Sequence, residues 1–277
     1  MTAITTRRNE FVQQCRALAR ERPAGSDLVL LDGSHLIGEA LAAGVSILRV
    51  AAGPRIRQSA EGADLIARLD RERVAVVDVS DGILDAMSPV RTPSGLLAVA
   101  RLKPAPLGRA LDGACPLVVV AVDVQDPGNL GAIVRAAEAG HATGVVCTGS
   151  SADPLGWKAL RGSMGSAFRL TVTDRMLLAT AVDEIRSRGL HLVATSPRGG
   201  TSLYEMDLTP PMAVLIGSEG AGLGRYTIDA ADLHLAIPMQ APVESLNVAQ
   251  ATAVVVFEAY RQRRAADVMV RPRTSPA

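Results

Sequence analysis

Short, continuously apolar runs alternate with helical segments through the second half of the chain. The runs lie at 117–122, 144–147, 190–194, 213–216 and 233–237. Helices are predicted at 130–139, 154–164, 176–188 and 246–260. Strands that are apolar on both faces need cover on both faces, as in parallel sheets between helix layers. The sequence therefore predicts an α/β fold whose C-terminal part is a mostly parallel sheet.

A smaller alternating series precedes it. Its strands are predicted at 28–31, 47–51, 74–77 and 96–100, and its helices at 5–22, 34–43, 60–69 and 83–87. Proline and glycine between the two series predict a linker. The predicted organisation is an N-terminal α/β domain at 1–105, a linker at 106–116, a second domain at 117–265 and a disordered tail at 266–277.

The last predicted helix is apolar on nearly every side, with Val254, Val255, Val256 and Phe257 in succession. A surface helix shows one apolar stripe, so a helix that is apolar all round needs cover on both sides. We therefore expect it to pack on its own sheet and against a second copy of the chain, as a homodimer.

Composition excludes several classes of protein. The net charge is +1 and the three cysteines show no C-x-x-C spacing, so neither a disulfide framework nor a metal site is expected. No apolar run is long enough to span a bilayer, and the N-terminus lacks the pattern of a signal peptide. We expect a cytoplasmic protein. Arginines cluster near both ends, which suits phosphate binding but is equally typical of a compositional bias, the interpretation that we favour.

The polar motifs follow the carboxyl ends of predicted strands. A glycine-dense loop, 217–224, comes directly after the run 213–216, and it matches neither the Rossmann fingerprint nor Walker A. Asn129 and Arg135 lie in the helix after the run 117–122, and residues 239–247 follow the run 233–237. Ligands in open α/β sheets bind beyond the carboxyl ends of the strands. We therefore expect these loops to converge on one crevice.

Three of these stretches resemble the motifs of the SpoU-type RNA ribose methyltransferases. They are N-L-G-A-I-V-R-A-A-E-A-G at 129–140, I-G-S-E-G-A-G-L at 216–223 and I-P-M-Q-A-P-V-E-S-L-N-V-A at 237–249. They occur in the family's order. Residues 31–41 more weakly resemble the start of the family's small substrate-binding domain. The resemblance implies a sheet tied into a deep trefoil knot and a ribosomal-protein-like N-terminal domain.

The resemblance also implies the chemistry and the residues that perform it. The reaction would be methyl transfer from S-adenosylmethionine to a ribose 2′-hydroxyl of RNA, without a metal. Arg135 corresponds to the family's catalytic arginine, and the supporting polar residues are Asn129, Glu219, Ser245 and Asn247. The donor would be bound by Thr195, Leu215, Gly217, Ile237, Met239 and Leu246.

Each residue also has a simpler interpretation. Asn129 and Ser245 are helix-capping types, and Glu219 is a loop charge. Arg135 alone would be interpreted as an exposed or salt-bridged arginine. Ribosomal RNA is the expected substrate and transfer RNA the alternative. A non-catalytic RNA-binding module of the same fold is the alternative from another class.

Overall fold

The computed structural model describes residues 3–197, 199–218, 220 and 222–266. The predicted tail lies outside these residues, apart from Ala266. The described chain forms two compact units. One consists of described residues from Met1–Pro104 and Asp153–Arg169, and the other of those from Ala105–Ala152 and Leu170–Ala277.

The secondary structure follows the predicted alternation and adds several short elements. The first half contains α1 Glu10–Arg20, β1 Leu28–Asp32, α2 Ser34–Ala42, β2 Ser46–Ala52, α3 Pro54–Gln58, α4 Ala60–Arg71, β3 Ala75–Asp78, α5 Asp81–Met87, β4 Leu96–Arg101 and α6 Leu107–Leu111. The second half contains β5 Leu117–Val122, α7 Pro127–Ala139, β6 Gly144–Thr148, α8 Trp157–Ser163, β7 Thr171–Met176, α9 Leu178–Ser187, β8 His191–Ser196, β9 Thr201–Ser202, β10 Met212–Ile216, α10 Arg225–Asp229, β11 Leu233–Ala236 and α11 Val248–Ala265.

The second unit is built on a seven-stranded sheet in the order β7-β6-β5-β10-β8-β11-β9. Every paired neighbour in it is parallel. All residues of β5, β6 and β10 are buried, as their unbroken apolar sequences require. The prediction of an α/β fold with a mostly parallel sheet is confirmed.

The first unit has a four-stranded mixed sheet in the order β1-β4-β2-β3. The central strand β4 is antiparallel to both β1 and β2, whereas β2 and β3 are parallel. One side of the sheet is covered by α1 and α5, whose apolar residues share a core with Leu30 and Leu97. This unit therefore has its own hydrophobic core.

Residues 153–169 belong to the first unit, although the sequence places them between β6 and β7 of the second. The guanidinium of Arg22 donates from Nε and Nη2 to the two carboxylate oxygens of Asp153, at 2.7 and 2.8 Å. Trp157 Nε1 donates to the carbonyl of Ala19 at 2.9 Å. The predicted helix 154–164 is thus present as α8, but it packs in the other unit from the one its position in the sequence suggested.

The segment predicted as a linker also differs from its prediction. Residues 107–111 form α6, and Leu107, Ala110 and Leu111 are buried in the core of the second unit. Pro106 stands at the N-cap position of this helix, where a missing N–H costs no intrahelical bond. Proline and glycine here mark the start of a helix, and 106–116 is not simply a linker.

The last helix, α11, is buried along one face by Val248, Thr252, Val255, Val256 and Ala259. Its C-terminal end is fixed by Arg263, which is 7% exposed. Its guanidinium donates to the carbonyls of Cys115, Leu208 and Pro210 at 2.9, 2.9 and 2.6 Å. The neighbouring Gln262 donates to Met206 O and accepts from Leu208 N. These contacts attach the C-terminal end of α11 to the segments that precede β5 and β10.

Candidate functional site

The loops at the carboxyl ends of β8, β10 and β11 enclose a cavity of about 460 Å³ in the second unit. Parallel pairing brings these strand ends to one edge of the sheet, because Leu215 pairs with Ala194 and Ala236 with Ser196. The cavity is lined by Thr195, Ser196, Pro197, Ile216, Gly217, Ser218, Gly220, Gly222, Leu223, Ile228, Leu235, Ile237, Met239, Ser245, Leu246, Val248 and Ala251. Its wall is largely apolar, with hydroxyl groups at four positions.

The glycine-dense loop folds back on itself and forms one wall of the cavity. Ser218 and Gly222 form an isolated bridge, and Gly222 N donates to Ser218 O at 3.0 Å. A Cβ on Gly217 would lie 2.3 Å from the carbonyl carbon of Gly222 and 2.4 Å from Leu223 N. The loop can close in this way only with glycine at 217, because the Cβ of any other residue would overlap backbone atoms of Gly222 and Leu223. Glu219 lies outside the described residues.

Thr195 and Leu215 have different roles. Thr195 lines the cavity, and its hydroxyl donates to Leu215 O at 2.9 Å. The side chain of Leu215 is fully buried in the core of the unit and is not part of the lining. Leu215 therefore supports Thr195 through its carbonyl, and its place in the donor site stays a prediction.

The segment before α11 supplies Ile237, Met239, Ser245 and Leu246 to the cavity. Asn247 then caps the helix, because its Oδ1 accepts from the backbone N–H groups of Ala249 and Gln250. A side-chain cap of this kind fixes where the helix begins. The cap therefore holds the two preceding residues, Ser245 and Leu246, against the cavity.

Asn129 and Asn247 meet, as the convergence of their loops predicts. Asn247 Nδ2 donates to Asn129 Oδ1 at 3.1 Å. The cap of α7 is Asp126, whose Oδ1 accepts from Asn129 N at 2.7 Å, so Asn129 is not the cap. Its side chain is thus available to join the N-terminal end of α7 to that of α11, over 118 residues of sequence.

Arg135 lies apart from these groups. It is exposed on α7, outside the cavity lining. Within the described part of the chain its side chain makes no hydrogen bond or ion pair. The structure of one chain thus brings Asn129, Asn247, Ser245 and most of the predicted donor residues together, but it leaves Arg135 outside the cavity.

Sequence reasoning missed Asp123, which fixes the loop leading to α7. Asp123 has a left-handed backbone with φ of 55°, uncommon outside glycine. Its Oδ1 accepts from the N–H and the hydroxyl of Ser150 at 2.7 and 3.0 Å. Val124 makes two further bonds to the same loop, through Ser151 Oγ and Ala152 N. These four hydrogen bonds join the loops after β5 and β6, a link that no local pattern in the sequence reveals.

Two further observations concern the described residues. None of their helices is both long and apolar enough to cross a membrane. They also contain no group of three or more His, Cys, Asp and Glu side chains arranged to hold a metal ion.

Comparison with known proteins identifies the family. The model of the SpoU rRNA Methylase family matches residues 116–257, which include all three motifs and every residue that lines the cavity. The chain belongs to the SpoU rRNA methylase family.

Relatives of this SpoU methylase match it along almost its full length. An uncharacterized tRNA/rRNA methyltransferase of Synechocystis is 34% identical over 96% of each chain. The 23S rRNA (guanosine(2553)-2′-O)-methyltransferase RlmP of Bacillus subtilis is 30% identical, over 93% of this chain and 98% of RlmP. Among solved structures, the SpoU methyltransferase AviRb of Streptomyces viridochromogenes in complex with AdoMet superposes with a TM-score of 0.82. It is 28% identical, and the match covers 93% of this chain and 99% of AviRb. The resemblance inferred from the three motifs is confirmed.

Proposed function

We propose that this SpoU methylase transfers a methyl group from S-adenosylmethionine to a ribose 2′-hydroxyl of RNA, with ribosomal RNA as its substrate. The observation that carries this function is the joining of all three motif regions at one place. The second and third line the cavity, and the Asn129–Asn247 hydrogen bond attaches the first to it. The names of RlmP and of the AviRb complex support the same reaction class and donor.

The cavity fits the donor in size and chemistry. Its volume of about 460 Å³ is within the roughly 300–1,000 Å³ of small-molecule sites. Ile237, Leu246 and Met239 supply apolar surface, and the loop at Gly217 brings backbone groups close to the ligand. Thr195 and Ser196 add hydroxyl groups. The donor bound there would supply an electrophilic methyl group on a sulfonium.

The protein's own contribution is positioning and electrostatics. A ribose hydroxyl is a poor nucleophile that must lose its proton as the methyl group is attacked. Arginine is permanently protonated in proteins, so we assign Arg135 to phosphate binding and to stabilising the developing oxyanion. Ser245, at the mouth of the cavity, and the Asn129–Asn247 pair would align the hydroxyl with the methyl group. We assign Glu219 a supporting polar role in the same group.

A homodimer accounts for the exposed part of α11. Phe257 is 48% exposed while its neighbours Val255 and Val256 are buried in their own chain. Phe257 is therefore the part of the apolar helix left for a second copy to cover. Since Arg135 lies outside the cavity of its own chain, the dimer also offers a way to bring this arginine to a reacting hydroxyl.

The variant Phe257→Asp should shift the protein from dimer to monomer in sedimentation velocity, with its thermal stability largely kept. The introduced charge is tolerated in the free chain, where Phe257 is half exposed, but not in an apolar interface. Leu177→Asp is the matched control. Leu177 is the N-cap residue of α9, is 75% exposed and lies far from Phe257 in the sequence. Wild-type protein that sediments as a monomer at micromolar concentration would contradict the proposal.

We assign RNA choice to the first unit, in keeping with the predicted N-terminal domain at 1–105. The two segments of this unit hold 17 of the 29 Lys and Arg residues but 13 of the 28 Asp and Glu. The excess of positive charge suits RNA. Arg22 is excluded from this role, since its side chain is 2% exposed in the ion pair with Asp153. We also propose that the first unit resembles a ribosomal protein and that the enzyme is located in the cytoplasm.

A deep trefoil knot is the topology that we propose for the second unit. It is supported by the path of the C-terminal segment, which lines the cavity at 237–251 and then reaches, through Arg263, the carbonyls of Cys115 and Pro210. One segment thereby lies beside the loop that follows β10 and also contacts the loop that precedes it. Knots are very rare in proteins, so the main support for a knot in this chain is its membership of the SpoU family.

The function is tested by donor binding and by methyl mapping. Calorimetry should detect S-adenosylmethionine binding to the wild-type protein, and Gly217→Ala should weaken it by about 10-fold or more because the added carbon overlaps the loop backbone. Gly224→Ala is the control, since a Cβ there meets nothing within 4 Å. Ribose methylation of ribosomal RNA should then disappear at one nucleotide in cells lacking the protein.

The two alternatives predict different results. A transfer RNA enzyme would bind the donor but leave ribosomal RNA unchanged and alter transfer RNA. A non-catalytic RNA-binding module would show neither donor binding nor any change in methylation.

A further inference from the structure

The C-terminal end of α1 and the short helix α8 are in contact on one side of the first unit. Trp157, the first residue of α8, donates from Nε1 to the carbonyl of Ala19 at 2.9 Å. Its ring also packs against the core that α1 helps to form. Two basic residues on each helix accompany this contact, and we call the surface that they form the α1–α8 surface. They are Arg16 and Arg20 on α1 and Lys158 and Arg161 on α8.

Helix geometry places these four side chains next to the contact between α1 and α8. Arg20 directly follows the residue whose carbonyl accepts from Trp157. Arg16 lies one turn before Arg20, on the same face of α1, because residues four apart are neighbours on a helix. Lys158 Nζ lies 5.5 Å from the centroid of the Trp157 ring, and Arg161 follows one turn later on α8. The four cations therefore lie close to one another on the first unit.

None of the four side chains has an anionic partner among the described residues. Three of them are exposed, and Arg16 is half-buried. None donates a side-chain hydrogen bond or forms an ion pair within the part of the chain that the structure describes. In the same unit Arg101 and Arg169 are each paired with a carboxylate. The charges of the α1–α8 surface are thus left for solvent or for a ligand.

Acidic residues near the four cations offset little of their charge. Asp153 is the one acidic residue of the segment 153–169, and its carboxylate is held in the ion pair at 2.7 Å described above. Glu10 is at the opposite end of α1, about 15 Å from Arg20 along the helix axis. Glu21 is the exposed carboxylate that remains beside Arg20. The surface is therefore positively charged in a chain whose net charge is only +1.

Helix electrostatics explains only two of the four positions. A cation is favourable in the last turn of a helix, where Arg20 and Arg161 lie. Lys158 lies in the first turn of α8, where a positive charge is unfavourable. Arg16 is in the middle of α1, and its like charge four residues before Arg20 destabilises the helix slightly. Two of the cations therefore have no reason in the stability of their own helices.

We infer that the α1–α8 surface binds the sugar–phosphate backbone of the substrate RNA. Arginine and lysine side chains carry hydrogen-bond donors and no acceptor, and phosphate oxygens are acceptors with negative charge. Phosphate contacts fix the position and orientation of a nucleic acid without reading its sequence. The inference rests on the proposed function, since the RNA is that of the methyl-transfer reaction. It gives residues 153–169 a role, because they complete an RNA-binding surface of the first unit.

Salt-dependent binding of the full-length protein to RNA tests this surface. The probe is a fluorescein-labelled single strand of about 20 uridines, followed by fluorescence anisotropy between roughly 50 and 200 mM salt. A fourfold glutamine variant should bind about 10-fold more weakly or worse at the lowest salt concentration. Its slope of log K against log salt should be shallower by roughly 3, since each phosphate contact to a single strand contributes about 0.7. The four changes are Arg16→Gln, Arg20→Gln, Lys158→Gln and Arg161→Gln.

A second fourfold variant matches the change in charge elsewhere in the same unit. Its four arginines lie on or just after α3 and α4, are exposed or half-buried, and form no ion pair with a described residue. The changes are Arg55→Gln, Arg68→Gln, Arg71→Gln and Arg73→Gln. This variant should keep the slope of the wild type. Equal losses of slope in the two variants would overturn the inference, because net charge alone would then explain the binding.

Two further measurements separate this result from folding and from the proposed function. If the first variant loses the circular dichroism of the wild type, Lys158→Gln alone decides, because this side chain is exposed. Its slope should fall by about 0.7, and an unchanged slope would refute the surface. Calorimetric binding of S-adenosylmethionine is measured on the same samples. Intact donor binding with an unchanged slope rejects the α1–α8 surface and leaves the proposed function standing. A wild type that binds the donor and a strand of about 20 glutamates, but not the RNA, also rejects it.

Discussion

Replacing Arg263 by alanine should lower the free energy of unfolding by about 3–5 kcal/mol, as expected when a buried, fully bonded polar network is broken. The loss would leave the carbonyls of Cys115, Leu208 and Pro210 without their donor. Burial lowers the pKa of Arg263, against the effects of nearby Cys115 and Asp207. Its charge is thus stabilised chiefly by backbone oxygens.

Chemical denaturation of the two variants Arg263→Ala and Arg264→Ala measures this effect. Arg264 is exposed one residue later and contacts the ring of Tyr260 at 5.7 Å. Its removal should cost no more than about 0.5 kcal/mol, as for most surface substitutions. Equal midpoints for the two variants would show that the carbonyl contacts of Arg263 add little to stability.

Replacing Arg135 by alanine should reduce methyl transfer by about 100-fold or more, the usual loss when a main electrostatic contact to the transition state is removed. The affinity for S-adenosylmethionine should change little, because Arg135 does not line the cavity. The decisive pair of measurements is single-turnover methyl transfer and calorimetric donor binding. Arg109→Ala, at another exposed arginine of the second unit, should retain activity. Near-normal turnover in Arg135→Ala would refute the role.

The homodimer proposed above allows a test of which cavity Arg135 serves, by mixing two variants. When Arg135→Ala and Gly217→Ala chains are combined, each mixed dimer contains one intact cavity and one intact arginine on different chains. Recovery of activity above that of either variant places the arginine across the dimer. An absence of recovery places it on the cavity of its own chain.

The parts of the fold that could be predicted are those with a local signal. The parallel sheet follows from strands such as β5, which is apolar at every residue and buried at every residue. The meeting of Asn129 with Asn247 follows from a topological rule about strand ends. Both predictions need only the order of elements along the chain.

The parts that could not be predicted depend on single contacts between distant residues. Arg263 looks, in sequence, like its exposed neighbours Arg261 and Arg264, and only the packed carbonyls around it distinguish it. The position of Arg135 outside the cavity could not be inferred either, because the motif that identifies the residue does not give its distance from the cavity.

Because residues 153–169 belong to the first unit, that unit can be completed only after part of the second unit has been synthesised. Arg22 leaves the ribosome 131 residues before its partner Asp153, which at roughly 5–20 residues per second is about 7–26 s of translation. During that time β5, α7 and β6 of the second unit have already been made. Until residues 153–169 are synthesised, the first unit therefore lacks the partner of Arg22 and the helix α8 that packs against β1.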